Sequence, residues 1–283
     1  MTPAQLSRAL SSALRRAVAE GELPRTAAEP PAGVTLRNPP HGDADYASNL
    51  ALRLAAATGH PARSIADVLR TRLVQEPGVE RVEVAGPGFL NIRLAESGWT
   101  ALVRRLTERG RAERPQDHAP PENPAEDAER WAAVTGTAPR MERRDGNPLF
   151  RVQYAHSRVR ALLTAADALG FAPEPGPYTT RAEGRLLALL ADSARIAERC
   201  PAAGGNTADP ADPAAYAPLA RHLTAVADAF LDFHDAPGAR HVLPRGDEKP
   251  EAAHRSRLAL AEAAGTVLAG GLTQLGISAP HHL

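Results

Sequence analysis

Residues 79–94, VERVEVAGPGFLNIRL, carry the side-chain pattern best suited to recognition chemistry. From Phe89 to Leu94 successive side chains alternate in character, the two-residue period of a half-buried strand. Leu90, Ile92 and Leu94 point one way, and Phe89, Asn91 and Arg93 the other. If the aliphatic row faces the core, a ring, an amide and a guanidinium stand in line on the outer face. Such a row can stack on a base, hydrogen-bond its edge and hold a phosphate. The same alternation also fits a Phe89 packed beneath a neighbouring loop. Other chemistry finds little support. The ten histidines show no ligand spacing on one helix face, and the adjacent His281 and His282 read as an exposed tail that could hold a metal only weakly. Cys200, the one cysteine, excludes an intramolecular disulfide and a multi-cysteine metal site. Ser, His and Asp occur without a nucleophile elbow, and no Gly-x-x-x-x-Gly-Lys phosphate loop is present. No metal site and no cofactor is expected.

The elements that must position this row read as follows. Val79 to Ala85 alternates as a partner strand, with Val82 and Val84 on one face, and Gly86-Pro87-Gly88 supplies the turn of a β-hairpin. Upstream, residues 2–20 predict a helix with Leu6, Leu10, Leu14 and Val18 on one face. Residues 21–41 read as a Pro/Gly-rich loop, with Val34 and Leu36 in a short strand. Asp43 or Asp45 can cap a helix running through Tyr46-Ala47-Ser48-Asn49 to about Ala57. A third helix places Ile65, Leu69 and Leu73 inward, and a fourth, Ser97 to Arg109, closes this small α/β domain, 1–109. Residues 110–146 have linker composition, with Pro115, Pro120, Pro121, Pro124 and Pro139. Within them Ala125 to Val134 predicts a short helix anchored by Trp131. From Asn147 to Leu283 every periodic stretch is helical. Val152, Ala155, Val159, Leu162, Ala166 and Leu169 share one stripe, and helices follow at 181–199 and 214–235, separated by a loop over 200–213. Leu219, Leu223, Val226 and Phe230 face inward on the second of these. In the last helix Leu258, Ala261, Gly265, Leu268, Leu272 and Leu275 form a stripe. Pro250 suits its first turn and Gly276 its C-cap, and Gly270-Gly271 implies that another backbone packs close. The fold class expected is α+β and mostly helical: a small α/β domain with a hairpin, then an all-α bundle.

A chain of 283 residues is long enough for two such domains. Its 33 basic residues are balanced by 33 acidic ones, so no global field draws in nucleic acid and any RNA contact must be local. Lys249 is the sole lysine. No apolar run approaches the ~18 residues of a membrane span, and the N-terminus lacks a signal-peptide core. A cytoplasmic protein without a membrane partner is expected.

The wording of five stretches adds to this. HGDADYASNLALRLA at 41–55, followed by VERVEVAGPGFLNIRL, resembles the N-terminal domain of arginyl-tRNA synthetases, a small α/β unit that touches the tRNA D-loop at the elbow. The family makes that contact from the strand after the turn, which implies Phe89 and Asn91, with Arg93 beside them, as D-loop-binding residues. The resemblance gives Asp45 to Asn49 the task of capping the helix and packing the sheet. Asn147 to Arg158, containing Val-Gln-Tyr-Ala-His-x-Arg, resembles the first helix of that family's DALR anticodon-binding domain. ARHVLPRGDEKP resembles the loop before its last helix, and RLAL…LGISAP that helix and its tail. In the family the tail after Ser-Ala-Pro lies against the anticodon loop. Carried over, this implies Tyr154, His156, Arg158, His241 and Leu283 as anticodon-binding residues. The family chain usually ends in Met, here Leu283. It often carries Phe-Tyr-Asn where this chain has Phe233-His234-Asp235.

A class I synthetase also needs a nucleotide-binding α/β domain, with a His-x-Gly-His-type turn and a Lys-rich loop that stabilise charge on the ATP phosphates. Neither can be found, and residues 110–146 are too few for a parallel sheet with crossover helices. The reading is a non-catalytic arginyl-tRNA synthetase-like protein that binds tRNA, tRNA(Arg) above all. Two alternatives stand beside it. One is a protein-interaction or regulatory module docking on a synthetase or other enzyme; the other is the tRNA-binding half of a split synthetase.

Overall fold

The computed structural model describes residues 3–27, 36–37, 44–112, 122–200, 212–235 and 241–283. The chain forms two compact units, residues 1–99 and 100–283.

In the first unit, helices α1 (Pro3–Ala19), α2 (Leu50–Thr58) and α3 (Ala62–Leu73) accompany four strands: β1 (Leu36–Arg37), β2 (Tyr46–Ser48), β3 (Val79–Ala85) and β4 (Phe89–Leu94). The strands make one antiparallel sheet in the order β1-β2-β4-β3. Leu6, Leu10 and Leu14 of α1, Leu50 and Leu54 of α2, and Ile65, Leu69 and Leu73 of α3 are buried with Leu90, Ile92 and Leu94 of β4. Apart from Leu50 and Leu54, these are residues that periodicity assigned to the interior; Val18, assigned with them, is only half-buried.

Tyr46 to Ser48 is strand, not the start of α2. Tyr46 pairs with Ile92 and Ser48 with Leu90, so this segment covers the free edge of β4. Asp45 does not cap α2. Its backbone N–H donates to the Ile92 carbonyl (3.0 Å) and its carboxylate accepts from the Leu94 N–H (2.7 Å), extending the ladder by one residue. The Leu50 N–H, at the start of α2, instead donates to the Ser48 hydroxyl (3.3 Å). Val34 and Asp43 lie outside the described residues.

The second unit holds most of α4 (Glu96–Ala112), then α5 (Pro124–Thr135), α6 (Pro148–Ala168), α7 (Arg181–Ala197), α8 (Ala217–Asp235) and α9 (Ala252–Gln274). The sequence reading ended the first domain after Arg109; in the structure the division falls after Trp99. The reason is visible in side chains. The Thr100 hydroxyl donates to the Gly176 carbonyl (3.1 Å), and the Arg111 guanidinium makes two 2.9 Å hydrogen bonds to Glu262 on α9. The segment read as a linker also belongs here. Its helix α5 starts at an Asn123 cap and buries Ala128, Trp131 and Val134.

Helix α9 is the axis of this unit. Leu258, Ala259, Leu260 and Ala261 are all fully buried, so α9 is enclosed on successive faces and not along a single stripe. Gly271 is fixed by space: a Cβ there would lie 2.4 Å from Leu223 Cδ2 on α8. Nothing approaches Gly270, and the close neighbour of Gly271 is a side chain, not a backbone. Pro250 precedes the Glu251 cap of α9 and so lies outside its first turn. Leu169 follows the last residue of α6 and is 52% exposed, off the buried stripe. A buried ion pair ties α9 to α7: Arg257 Nη1 donates to Glu183 Oε1 (2.6 Å) and Nη2 to the Phe233 carbonyl (2.9 Å). Its guanidinium also sits 4.2 Å from the centre of the Phe233 ring. The 200–213 loop lies mostly outside the described residues.

Candidate nucleic-acid interface

On the first unit the candidate surface is the outer face of the sheet. Gly88, with φ 140°, ends the hairpin turn where a Cβ would come within 3.0 Å of the Ala62 backbone, so the turn sits tight on the start of α3. That contact fixes where β4 begins. Phe89 is 41% exposed, Asn91 is half-buried and the Arg93 side chain is 42% exposed, while Leu90, Ile92 and Leu94 fill the core. Phe89 is exposed, and among the described residues it does not pack beneath a loop. Register extends the row sideways, because residues directly opposite share a face. Asn91 faces Ala47 on one side and Glu83 on the other, and Ala47 faces Arg37. Arg93 faces Arg81. The alanine keeps the centre of the face low between polar groups. Arg93 reaches Glu80 (3.5 Å) and Arg81 reaches Glu83 (3.2 Å), both exposed pairs that a phosphate can compete for. Alternation already places Arg81 and Glu83 opposite Val82 and Val84, but only register sets Arg81 beside Arg93 and brings in Arg37, because cross-strand register is not written in any one strand.

On the second unit the candidate surface is built around the chain's last residues. After α9 the tail returns over α5 and α6. Asp127 on α5 is 3% exposed, and its carboxylate accepts hydrogen bonds from the Ser278 N–H (3.0 Å), the Ser278 hydroxyl and the Gln153 amide (3.0 Å). Gln153 on α6 also donates to the Ser278 carbonyl (3.1 Å), and Arg130 on α5 donates to the Gly276 carbonyl. His156 Nδ1 lies 3.0 Å from the Pro280 carbonyl oxygen. The carbonyl can only accept, so Nδ1 carries the proton and Nε2 is left as an acceptor in the neutral ring. Burial pushes the His156 ring down from 6.5 to about 4, so it is neutral at pH 7.

The five residues implied for anticodon contact therefore separate. Tyr154 is 37% exposed and stacks on Phe150, ring centres 5.7 Å apart. Arg158, one turn on, is exposed on the same side of α6. Leu283 is 42% exposed and lines a cleft of about 80 Å³ with Phe150, Gln153, Arg140 and Met141. His241 is half-buried and does not line that cleft. His156, at 5% exposure, holds the tail and stands on another face of α6 from Tyr154 and Arg158, so it is not part of their exposed surface. The residues that set the tail's path, Asp127 and Ser278, were missed. Nothing in sequence links positions 151 residues apart, and Asp127 lies in a stretch whose composition reads as linker.

Among the described residues no three His, Cys, Asp or Glu side chains are grouped to hold a metal, and no helix is long and apolar enough to cross a membrane. Residues 4–94 match the arginyl tRNA synthetase N terminal domain, and residues 152–283 match the DALR anticodon binding domain. The chain is a relative of the arginyl-tRNA synthetases. It is similar to the arginine–tRNA ligase of Kineococcus radiotolerans, 44% identical over 113 residues, which covers 40% of this chain and 20% of that protein. It is also similar to the Micrococcus luteus arginine–tRNA ligase, 34% identical over 215 residues, covering 72% of this chain and 36% of that one. A Thermus thermophilus arginyl-tRNA synthetase structure aligns with 22% identity and a TM-score of 0.42, over 68% of this chain and 33% of that chain. The chain thus spans about a fifth to a third of the length of these curated relatives. The class I catalytic domain is not present in it. Between the two matched segments run only residues 95–151, which hold α4, α5 and the approach to α6.

Proposed function

We propose that this arginyl-tRNA synthetase relative binds tRNA, tRNA(Arg) above others, and does not aminoacylate it. The observation that carries this is the pairing of the family's N-terminal domain and its anticodon binding domain on one chain, with residues 95–151 between them. In this reading Phe89, Asn91 and Arg93, with Arg37 and Arg81 beside them, meet the D-loop. Tyr154, Arg158 and Leu283 meet the anticodon loop, with His241 a further contact, and His156 positions the tail. The D-loop-binding role falls to the unit 1–99 and the anticodon-binding role to the unit 100–283, which includes the segment 110–146 whose composition reads as a linker. With 33 basic residues balanced by 33 acidic ones, no long-range field of the whole chain adds to the affinity of either surface. Two weak sites on one chain gain affinity by effective concentration when one tRNA engages both.

Filter binding of the full chain to tRNA(Arg) and a panel of other tRNAs tests this directly. Preferential retention of tRNA(Arg) is expected, and equal affinity across the panel removes the specificity. An aminoacylation assay with arginine and ATP should stay at background; charging by the chain alone overturns the non-catalytic reading. The same charge balance favours a second reading, docking on a synthetase or other enzyme. A stoichiometric protein partner with no tRNA retention decides for it.

A further inference from the structure

The second unit contains a pocket of about 410 Å³ between α4, α6, α9 and the returning tail, apart from the cleft beside Leu283. Its walls come from helical stripes. On α6, His156, Val159, Arg160 and Leu163 follow the i, i+3, i+4, i+7 spacing of one face, and on α9 Glu262, Thr266, Ala269 and Thr273 form the facing row. The two arginines at this pocket differ. Arg111 is spent on Glu262, whose two carboxylate oxygens it meets at 2.9 Å, so that acid is neutralised where it stands. Arg160 makes no ion pair among the described residues, and its Nε is buried without a hydrogen-bond partner. The Nε is closed off from solvent, so an anion in the pocket would meet the terminal Nη atoms, which no carboxylate occupies among the described residues.

We propose that this pocket binds a single nucleotide, its phosphate on Arg160 and its base against the aliphatic wall of Val159, Leu163 and Ala269. The volume lies in the range of small-ligand sites, and the lining joins an apolar wall to a few convergent polar groups as such sites do. The guanidinium fork matches phosphate oxygens. His156, with Nδ1 committed to the Pro280 carbonyl, offers only an acceptor at Nε2, which suits a ribose hydroxyl or an exocyclic amine. His281 closes the rim from the tail. Its ring is held below the ordinary histidine range by burial and by Arg160, so it adds no charge at neutral pH that would replace Arg160. Occupancy would brace the tail segment on which the proposed anticodon contacts depend.

The nucleotide can be a free mononucleotide or a residue of a bound RNA. The second source rests on the tRNA-binding reading; the first does not. Titration calorimetry of the intact chain with AMP, GMP, CMP and UMP, and filter binding with tRNA(Arg), separate them. For the free source, at least one mononucleotide binds, Arg160→Met weakens it by about tenfold or more, and Arg160→Lys retains part of the affinity. For the RNA source, mononucleotides fail to bind while Arg160→Met weakens tRNA by a similar factor. Mononucleotide binding untouched by Arg160→Met, or neither ligand responding to it, overturns the site. Retention of tRNA by the unaltered chain is read in the same series, so loss of the pocket and loss of the tRNA reading are told apart. Should Arg160→Met not fold, amide shifts in the unaltered chain decide. Nucleotide-induced shifts at Gly265 and Thr266 support the site, and their absence or confinement to other residues overturns it.

Discussion

The two candidate surfaces are held in place by different means. On the first unit, Phe89, Asn91 and Arg93 are carried by a backbone ladder. Each points outward because its neighbours Leu90, Ile92 and Leu94 point in, and the ladder does not depend on any outward side chain. On the second unit the tail has no ladder. Its path depends on side chains, chiefly the Asp127 carboxylate with its three donors, Gln153 and His156. Outward residues on the sheet are thus free to serve binding alone, whereas residues around the tail serve stability first. Substitutions should reveal this as a split between stability and affinity.

The largest effect is expected at the tail. Asp127→Ala leaves the Ser278 N–H, the Ser278 hydroxyl and one Gln153 donor without their buried acceptor. The cost should be about 3–4 kcal/mol in the second unit, with little change in the first. The two tryptophans allow this to be read separately, since Trp99 lies in the first unit and Trp131 in the second, both 6% exposed. Urea unfolding followed by Trp131 in a Trp99→Phe background gives the number. A loss below about 1 kcal/mol would mean that the tail is held by packing and that the contrast is misdrawn.

Acidification probes the same region. The His156 ring titrates near 6.5 when unfolded and at about 4 when folded, pushed down by burial. Because the folded value is the lower one, the unfolded chain takes up the proton first as pH falls. Stability is therefore full above about 6.5 and declines through the window down to about 4, by on the order of 2–3 kcal/mol. Burial lowers His222 as well, with the same sign. His156→Gln should flatten the fall in the Trp131 urea midpoint between pH 7.5 and 4.5, leaving the parts due to His222 and His281, which are lowered in the same sense. An unchanged slope would exclude His156 as the main titrating group.

The difference between the surfaces also decides what could be read from the sequence. The β4 row was legible because a strand's two-residue period sorts side chains without knowledge of any partner. The aliphatic stripe of α6 and the Trp131 helix were legible for the same local reason. Tyr46 to Ser48 was read as helix because its neighbours are good helix formers. Only pairing with Ile92 and Leu90, more than 40 residues away, makes it a strand. Helix α9 shows its stripe in sequence, but its enclosure on successive faces is a property of the assembled bundle. The tail site was least legible. The family wording pointed to the tail itself, while the carboxylate that holds it sits in a segment rich in proline and charge.

Phe89→Ala should show the reverse of Asp127→Ala. With its ring 41% exposed, the substitution should change first-unit stability by under about 0.5 kcal/mol, while weakening tRNA by about 1–3 kcal/mol if the ring stacks on a base. Loss of stability without loss of affinity would make Phe89 a packing residue and remove the D-loop role.

Arg93→Ala should have the smallest effect and separates a phosphate contact from a surface ion pair. Its partner Glu80 is 3.5 Å away and both side chains are about half exposed, so the pair adds little to stability, under about 0.5 kcal/mol. If Arg93 instead gives up Glu80 to meet a phosphate, its removal eliminates one counterion-release event. The slope of log affinity against log salt concentration then falls by about 0.7–0.9, with the ranking among tRNAs unchanged, because a phosphate contact reads no base. A changed ranking would move Arg93 from phosphate to base edge. An unchanged slope would leave it a structural partner of Glu80 and confine recognition on the sheet to Phe89, Asn91 and the neighbouring arginines, Arg37 and Arg81.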